Sequence, residues 1–318
     1  MAAEQHQSGA TTTREAQGFV PGDGVQLAFG YWPGRGMPIV ALHGLTASYI
    51  SFVGVAERLA GRRALFALDL RGRGRSDKPA GPYGMVQHAA DVAAAMRAMG
   101  FGASIIVGHS MGGFIATALA SQSPELVAAL VLIDGGYALA LSAPGSLGGL
   151  DAALSLRINQ LRQTYPSREA YRQFWRAQPH FPPDAWNPWI EAFLNYEIED
   201  YEIDGARPAL RPRASVEGVR ADIVEGLNQD RIIARCKELR VPVLMLRAPF
   251  GFVPGSPPLY PDAMMDQMRA CIPQMEDHLI PGSTHYTMIL GDRGATTVAN
   301  LIDDFASRCL AAHEASPA

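Results

Sequence analysis

Residues 104–120 constrain the fold more than any other part of the chain. Ser104-Ile105-Ile106-Val107 is an apolar, β-branched run of strand length, and Gly113-Phe114-Ile115-Ala116-Thr117-Ala118-Leu119-Ala120 is a small, apolar run of helical character. Between them lies Gly108-His109-Ser110-Met111-Gly112, a G-x-S-x-G pentapeptide. A turn that sharp puts strained angles on Ser110 and brings backbone segments close together, so its flanks must carry little side chain; Gly108, Gly112 and Gly113 meet that need. Taken alone the pentapeptide also fits a small-residue turn that packs a helix onto a strand. The strand before it and the helix after it favour a nucleophile elbow, with the Ser110 hydroxyl at the tip of a sheet.

The rest of the chain repeats the alternation. Residues 19–31 read as a hairpin around Gly22-Asp23-Gly24, and residues 38–42, 64–68, 104–107, 129–133 and 241–246 read as short, buried, parallel strands. Helical patterns over 51–59, 86–99 and 113–121 separate most of them, which implies an open, doubly wound α/β sheet. About a hundred residues then intervene between Ile133 and Val241. They read as helices over 150–165, 167–177, 188–199 and 216–227, too much chain for a structureless loop. Trp175, Trp186, Trp189, Phe174, Phe181 and Phe193 fall inside this insertion. Ordinary packing accounts for most of them, and one or two are candidates to line an apolar cavity.

Composition narrows the partners. With 318 residues, 48% of them apolar, the chain can bury a large α/β core and carry one insertion. A net charge of −4, with both signs spread along the chain, gives no footprint for nucleic acid or an anionic membrane, so a small neutral partner is expected. Cys236, Cys271 and Cys309 are too far apart to suggest a disulfide framework or a zinc site. Residues 1–16 are polar and expected to be disordered. The first 18 residues lack an apolar signal segment and no run is long enough to span a bilayer, so a cytoplasmic location without membrane contact is expected.

A serine hydroxyl needs a base, and the base needs an orienting group. His285, in Pro281-Gly282-Ser283-Thr284-His285-Tyr286, follows a strand-like stretch ending at Ile280 and comes after Ser110 in chain order, which makes it the candidate base. His6 and His313 lie in the tails, His88 on a helix, His180 in the insertion and His278 in a strand-like run; none has an evident route to Ser110. His109 adjoins Ser110 but is expected to point elsewhere. His43-Gly44-Leu45 opens a loop after a strand, where the amides of Leu45 and Met111 can face a developing oxyanion. His43 itself is expected to hold that loop by hydrogen bonds. For the acid two carboxylates compete. Asp134 ends one strand and is preferred; Asp262 follows Pro261 and reads as a helix cap. The arginines of Asp69-Leu70-Arg71-Gly72-Arg73-Gly74-Arg75-Ser76-Asp77 are expected to pair with the flanking aspartates in a structural loop.

From about Phe19 to Leu310 these residues together resemble the α/β-hydrolase superfamily, through His43-Gly44, the loop from Asp69 to Asp77, the G-H-S-M-G-G elbow and the late G-x-x-H at His285. The resemblance implies an α/β-hydrolase fold: a mostly parallel central sheet flanked by helices, with an inserted helical cap. The corresponding boundaries are a tail at 1–16, a core at 17–136 and 239–312, and a cap at 137–238. It further implies a cofactor-free, metal-free serine hydrolase of carboxylic esters or lactones, with Ser110 as nucleophile, His285 as base and Asp134 as acid. Serine at the elbow sets the chain apart from haloalkane dehalogenases and epoxide hydrolases, which place Asp there. An acid after the earlier strand is similar to the arrangement in zearalenone lactonases, although those carry Glu at that place, so a large aromatic lactone is the expected substrate. A meta-cleavage-type C–C hydrolase and a non-catalytic ligand receptor on the same fold are the alternatives.

Overall fold

A computed structural model of the chain describes residues 16–139, 155, 157–226 and 228–314. The expected tail, apart from Ala16, and part of the helix expected at 150–165 lie outside the described residues.

Ten strands are present among the described residues: β1 (Ala16–Pro21), β2 (Gln26–Trp32), β3 (Ile39–Leu42), β4 (Leu65–Leu68), β5 (Ser104–His109), β6 (Val127–Ile133), β7 (Ile198–Ile203), β8 (Arg207–Pro212), β9 (Val243–Arg247) and β10 (Met275–Leu279). Eight of them form one sheet in the order β1-β2-β4-β3-β5-β6-β9-β10. The β1-β2 hairpin is antiparallel, β2 joins β4 antiparallel, and every later pair is parallel. In β3 and β4 every residue is buried, as strands covered on both faces must be.

Side chains alternate across the strands, so each face builds its own core. Ile39, Ala41, Leu65, Ala67, Ile105 and Val107 pack on one side with α1 (Val53–Leu59) and the C-terminal helix Asp292–Glu314. Val40, Leu42, Phe66, Leu68 and Ile106 pack on the other, against α2 (Met85–Ala98) and α3 (Met111–Gln122). This is the α/β-hydrolase architecture that the motifs imply.

Between β6 and β9 lie helices Arg168–Arg176, Pro188–Tyr196, Val216–Gly226 and Gln229–Glu238. Their starts are set by local chemistry. The Ser167, Asn187 and Asn228 side chains accept hydrogen bonds from first-turn amides, and Pro188 occupies the first helical position. One departure from expectation stands out. The helix expected to run to Glu199 stops at Tyr196, and β7 and β8 form a two-stranded antiparallel hairpin. Its turn is Asp204-Gly205, both at positive φ, a D-G signal for a tight hairpin. The polar, largely exposed middle of β7, Glu199 to Glu202, mimics a polar helix end in sequence.

Candidate active site

Parallel pairing gathers the candidate residues at one edge of the sheet. Leu42 of β3 pairs with Gly108 of β5, His109 with Ile133 of β6, and Ile133 with Leu246 of β9. The chain leaves β3 toward one side and β5 toward the other, so the crevice opens at their carboxyl ends. The loops at Gly44, Ser110, Asp134 and Ala248 therefore lie side by side.

Ser110 has φ 55° and ψ −120°, a strained combination for a residue with a side chain. Neighbours over-determine it. The Ser110 amide donates to the Ile133 carbonyl at 2.9 Å, and the Ser110 carbonyl accepts from Gly113 at 2.9 Å. A Cβ on Gly108 would lie 2.3 Å from the Gly112 carbonyl oxygen, and one on Gly135 would lie 2.1 Å from that of Ser110.

His285 Nδ1–H donates to Asp134 Oδ2 at 2.7 Å, and Asp134 Oδ1 accepts from the Ala248 amide at 3.2 Å. Both side chains are buried. The bond to a carboxylate fixes Nδ1 as the protonated nitrogen and leaves Nε2 as the free lone pair. The imidazole is also held from its faces. The His109 ring lies 4.6 Å away and the Phe252 ring 5.0 Å away in an edge contact. His109 Nε2–H donates to the His285 carbonyl at 2.9 Å, and the His285 amide donates to the Gly251 carbonyl at 2.9 Å. His109 thus points elsewhere than at the Ser110 hydroxyl and braces the loop that carries His285. Burial, with His285 beside it, holds the His109 ring well below the usual imidazole range.

Asp262, the competing acid, has a side chain 88% exposed and pairs with Arg247 at 2.9 Å. It begins a short 3₁₀ turn, Asp262–Met264. Asp134 is the carboxylate that reaches His285.

The peptides whose amides were expected to face an oxyanion, those of Leu45 and Met111, are oriented by groups outside the cavity. Met111 heads α3, so its amide has no carbonyl behind it within the helix. The Gly44 carbonyl accepts from His43 Nδ1–H at 2.7 Å, while the Leu70 amide donates to His43 Nε2 at 3.0 Å. Those partners fix one neutral tautomer, and burial lowers the His43 pKa to about 3. A trans peptide sends the Leu45 N–H opposite to the Gly44 carbonyl. The Leu45 carbonyl, in turn, accepts from Arg73 Nε at 2.9 Å. His43 and Arg73 together set the plane in which the Leu45 amide lies.

Arg73 also ties the core to the inserted segment. Its Nη2 lies 2.5 Å from Asp222 Oδ2, with both side chains fully buried, and His88 Nε2 lies 3.0 Å from the same oxygen. Burial alone would raise Asp222, but Arg73 and His88 beside it hold its carboxyl below the usual range. The expected pairing within the 69–77 loop is therefore corrected. Arg71 bonds Asp91 of α2 at 2.7 and 2.8 Å, and Arg73 bonds Asp222. Asp69 instead accepts from the Tyr49 and Arg75 amides and the Tyr196 hydroxyl. A buried carboxylate at a strand end finds backbone N–H groups closer than the ends of long guanidinium chains.

Above this edge is a cavity of about 210 Å³ lined by Leu45, Ser110, Met111, Asp134 and His285 from the core and by Trp175, Phe181 and Phe193 from the insertion. Phe174, Trp186 and Trp189 of the same aromatic set pack against the core instead. His180, set aside in the sequence, lines the same cavity, and burial lowers its pKa to about 4. Two further lining residues had no sequence signal, Arg157 and Tyr286. Arg157 lies in the stretch read only as a helix over 150–165, and Tyr286 merely follows His285. Among the described residues, no group of three His, Cys, Asp or Glu side chains could hold a metal ion. None of their helices is long and apolar enough to cross a membrane.

The sequence pattern of the alpha/beta hydrolase fold matches residues 37–292. The chain is 30% identical to 2-(acetamidomethylene)succinate hydrolase of Mesorhizobium japonicum over 254 residues, 80% of this chain and 83% of that protein. It is 35% identical to N-formylmaleamate deformylase of Pseudomonas putida over 124 residues, 39% of this chain and 46% of that one. In three dimensions it is similar to the crystal structure of E-2-(acetamidomethylene)succinate hydrolase, with a TM-score of 0.72 at 25% identity, over 91% of this chain and all of that one. With the sheet order, the elbow and a family match over most of its length, the chain belongs to the α/β-hydrolase fold family.

Proposed function

We propose that the protein is a cofactor-free serine hydrolase of carboxylic esters or lactones that works through an acyl-enzyme. The observation that carries this reading is the 2.7 Å bond from His285 Nδ1–H to Asp134, in the same cavity as a strained Ser110. His285 Nε2 takes the Ser110 proton as Oγ attacks the acyl carbon. The Leu45 and Met111 amides hold the tetrahedral oxyanion. His285 then returns the proton to the leaving oxygen, and water releases the acid by the same route.

Trp175, Phe181 and Phe193 support a substrate with an apolar or aromatic body. An acid after β6 also supports the zearalenone-like lactone class. A second reading, amide hydrolysis, is supported by the 30% identical relative, whose name describes hydrolysis of an acetamido-bearing succinate. Both readings use the same nucleophile, base and oxyanion donors.

The test is steady release of 4-nitrophenol from 4-nitrophenyl esters, with large aromatic lactones and N-acyl enamines as parallel substrates. Sustained turnover that is lost in Ser110→Ala is expected. A single burst, or none, across the panel would favour a receptor or a C–C hydrolase instead.

A further inference from the structure

The cavity wall holds one charge that the proposed chemistry leaves unused. Among the described lining residues Arg157 is the one Lys or Arg; the acidic ones, Asp134 and Asp222, have partners in His285 and Arg73. Arg157 is held in place by neutral groups. Its Nε donates to Thr46 Oγ1 at 2.8 Å and its Nη1 to Gln160 Oε1 at 3.2 Å, and its guanidinium stacks 4.7 Å from the Trp175 ring centroid. The nearest carboxylate is Glu197, whose Oε1 is 3.6 Å from Nη2 and has no hydrogen-bond partner of its own among the described residues. That separation is too long for a hydrogen bond. Tyr171 takes up the other oxygen of Glu197 at 2.9 Å.

A guanidinium has five N–H donors, and these contacts leave some of them unpaired. Glu197 is within ion-pair range of this largely buried cation but forms no hydrogen bond with it, so the guanidinium keeps donors to spare in an otherwise apolar wall. Thr46 adjoins Leu45, so the fork is anchored directly beside the oxyanion loop. A planar acceptor with two oxygens matches it.

We propose that Arg157 is a specificity-determining residue that binds a carboxylate on the substrate, a few carbon atoms from the acyl group that Ser110 attacks. The preferred substrates are then acids as well as esters or amides: hemi-esters, lactone acids or half-amides of short diacids with an apolar body. The inference rests on the serine-hydrolase reading of the same cavity. Glu197, bonded to Tyr171, is the internal carboxyl that competes with the substrate carboxylate for Arg157 once it is ionised.

The experiment compares 4-nitrophenyl hydrogen glutarate with 4-nitrophenyl pentanoate, the same chain ending in carboxylate or methyl. Wild-type protein should favour the hemi-glutarate in kcat/KM. Arg157→Met should lower that preference by roughly tenfold to a hundredfold, mainly through KM, and leave the pentanoate within about threefold, the scale of a lost charged hydrogen bond. At pH 8, where the Glu197 carboxyl is ionised, Glu197→Gln removes the competing anion and should raise the preference, and it decides the matter alone should Arg157→Met fail to fold. An unchanged or reduced preference in Glu197→Gln, or an unchanged one in a folded Arg157→Met, overturns the proposal. Calorimetry separates the two claims. In Ser110→Ala, 4-phenylbutyrate should bind more tightly than 4-phenylbutyramide, and adding Arg157→Met should erase the difference. No turnover with this binding preference intact would sink the hydrolase reading alone; turnover with no preference for the acid would sink the inference alone.

Discussion

The Ala248 amide points at the Asp134 carboxylate from 3.2 Å away. The strand that ends at Arg247 supplies a backbone donor here, and the carboxylate stands one strand over, at the end of β6. Pairing of Ile133 with Leu246 makes the two positions neighbours, so a carboxylate on either strand reaches the same imidazole. Arg247, at the end of β9, turns away to bond Asp262 and Asp277 at 2.9 and 3.0 Å.

Close backbone packing at the elbow predicts a sharp steric response. Gly135→Ala would drive a Cβ to 2.1 Å from the Ser110 carbonyl oxygen, and the backbone there has nowhere to retreat. A loss of about 3 kcal/mol in stability is expected in denaturant titration, with reduced kcat in the folded fraction. An unchanged midpoint and rate would mean that the elbow is looser than its geometry.

The Arg73–Asp222 pair predicts that one residue of the inserted segment matters to both stability and rate. Removing one partner of a fully buried pair strands the other, and Asp222→Ala should cost about 3 to 5 kcal/mol. Because Arg73 also holds the Leu45 carbonyl, kcat should fall with it. Asp222→Ala with wild-type stability would show that the pair is not closed in solution.

In the proposed mechanism His43 positions the Gly44–Leu45 peptide that donates to the oxyanion. His43→Phe removes both the donor to Gly44 and the acceptor for Leu70, and kcat should drop by roughly 10² while KM changes little, as when one oxyanion donor is misplaced. Equal effects on KM and kcat in steady-state kinetics would assign His43 to binding instead.

Glu197 predicts a pH dependence of stability. Burial pushes its carboxyl from 4.5 up to about 7. Between those values the native state keeps a proton that the unfolded chain has lost, so its contribution is full below about pH 4.5 and is lost as pH rises through about 7. The stability of wild type minus that of Glu197→Gln should fall by about 1 to 3 kcal/mol across this window. Melts at pH 4.5, 6 and 8 measure it, and a difference that is flat or rises with pH would contradict the assignment.

Much of the sheet was legible in sequence because its strands are short, apolar runs and because the turn at Ser110 requires the close-packed glycines at 108, 112 and 113. The edge that gathers Gly44, Ser110, Asp134 and His285 follows from strand order. What was not legible depends on contacts remote in sequence. His43 is legible as the residue that holds its loop, but its partners, the Gly44 carbonyl and the Leu70 amide, are not, and nothing in the sequence joins His109 to the His285 carbonyl. Arg73 finds Asp222, 149 residues away, rather than the aspartates beside it. The β7-β8 hairpin carries its Asp204-Gly205 signal in plain view, but the polar face of β7 reads equally as a helix end. A net charge of −4 suggests neutral partners, yet it cannot register a single guanidinium in an apolar wall.

The most direct test of the proposed mechanism is kcat for Asp134→Asn beside Asp262→Asn, measured on the best ester of the panel with stability recorded in parallel. Asparagine at 134 cannot hold the Nδ1–H tautomer of His285, and a fall in kcat of up to about 10⁴ is expected. Asp262→Asn should lose only an exposed ion pair, worth about 1 kcal/mol or less, and keep its rate. A near-normal rate in Asp134→Asn, or a collapse in Asp262→Asn, would contradict the account.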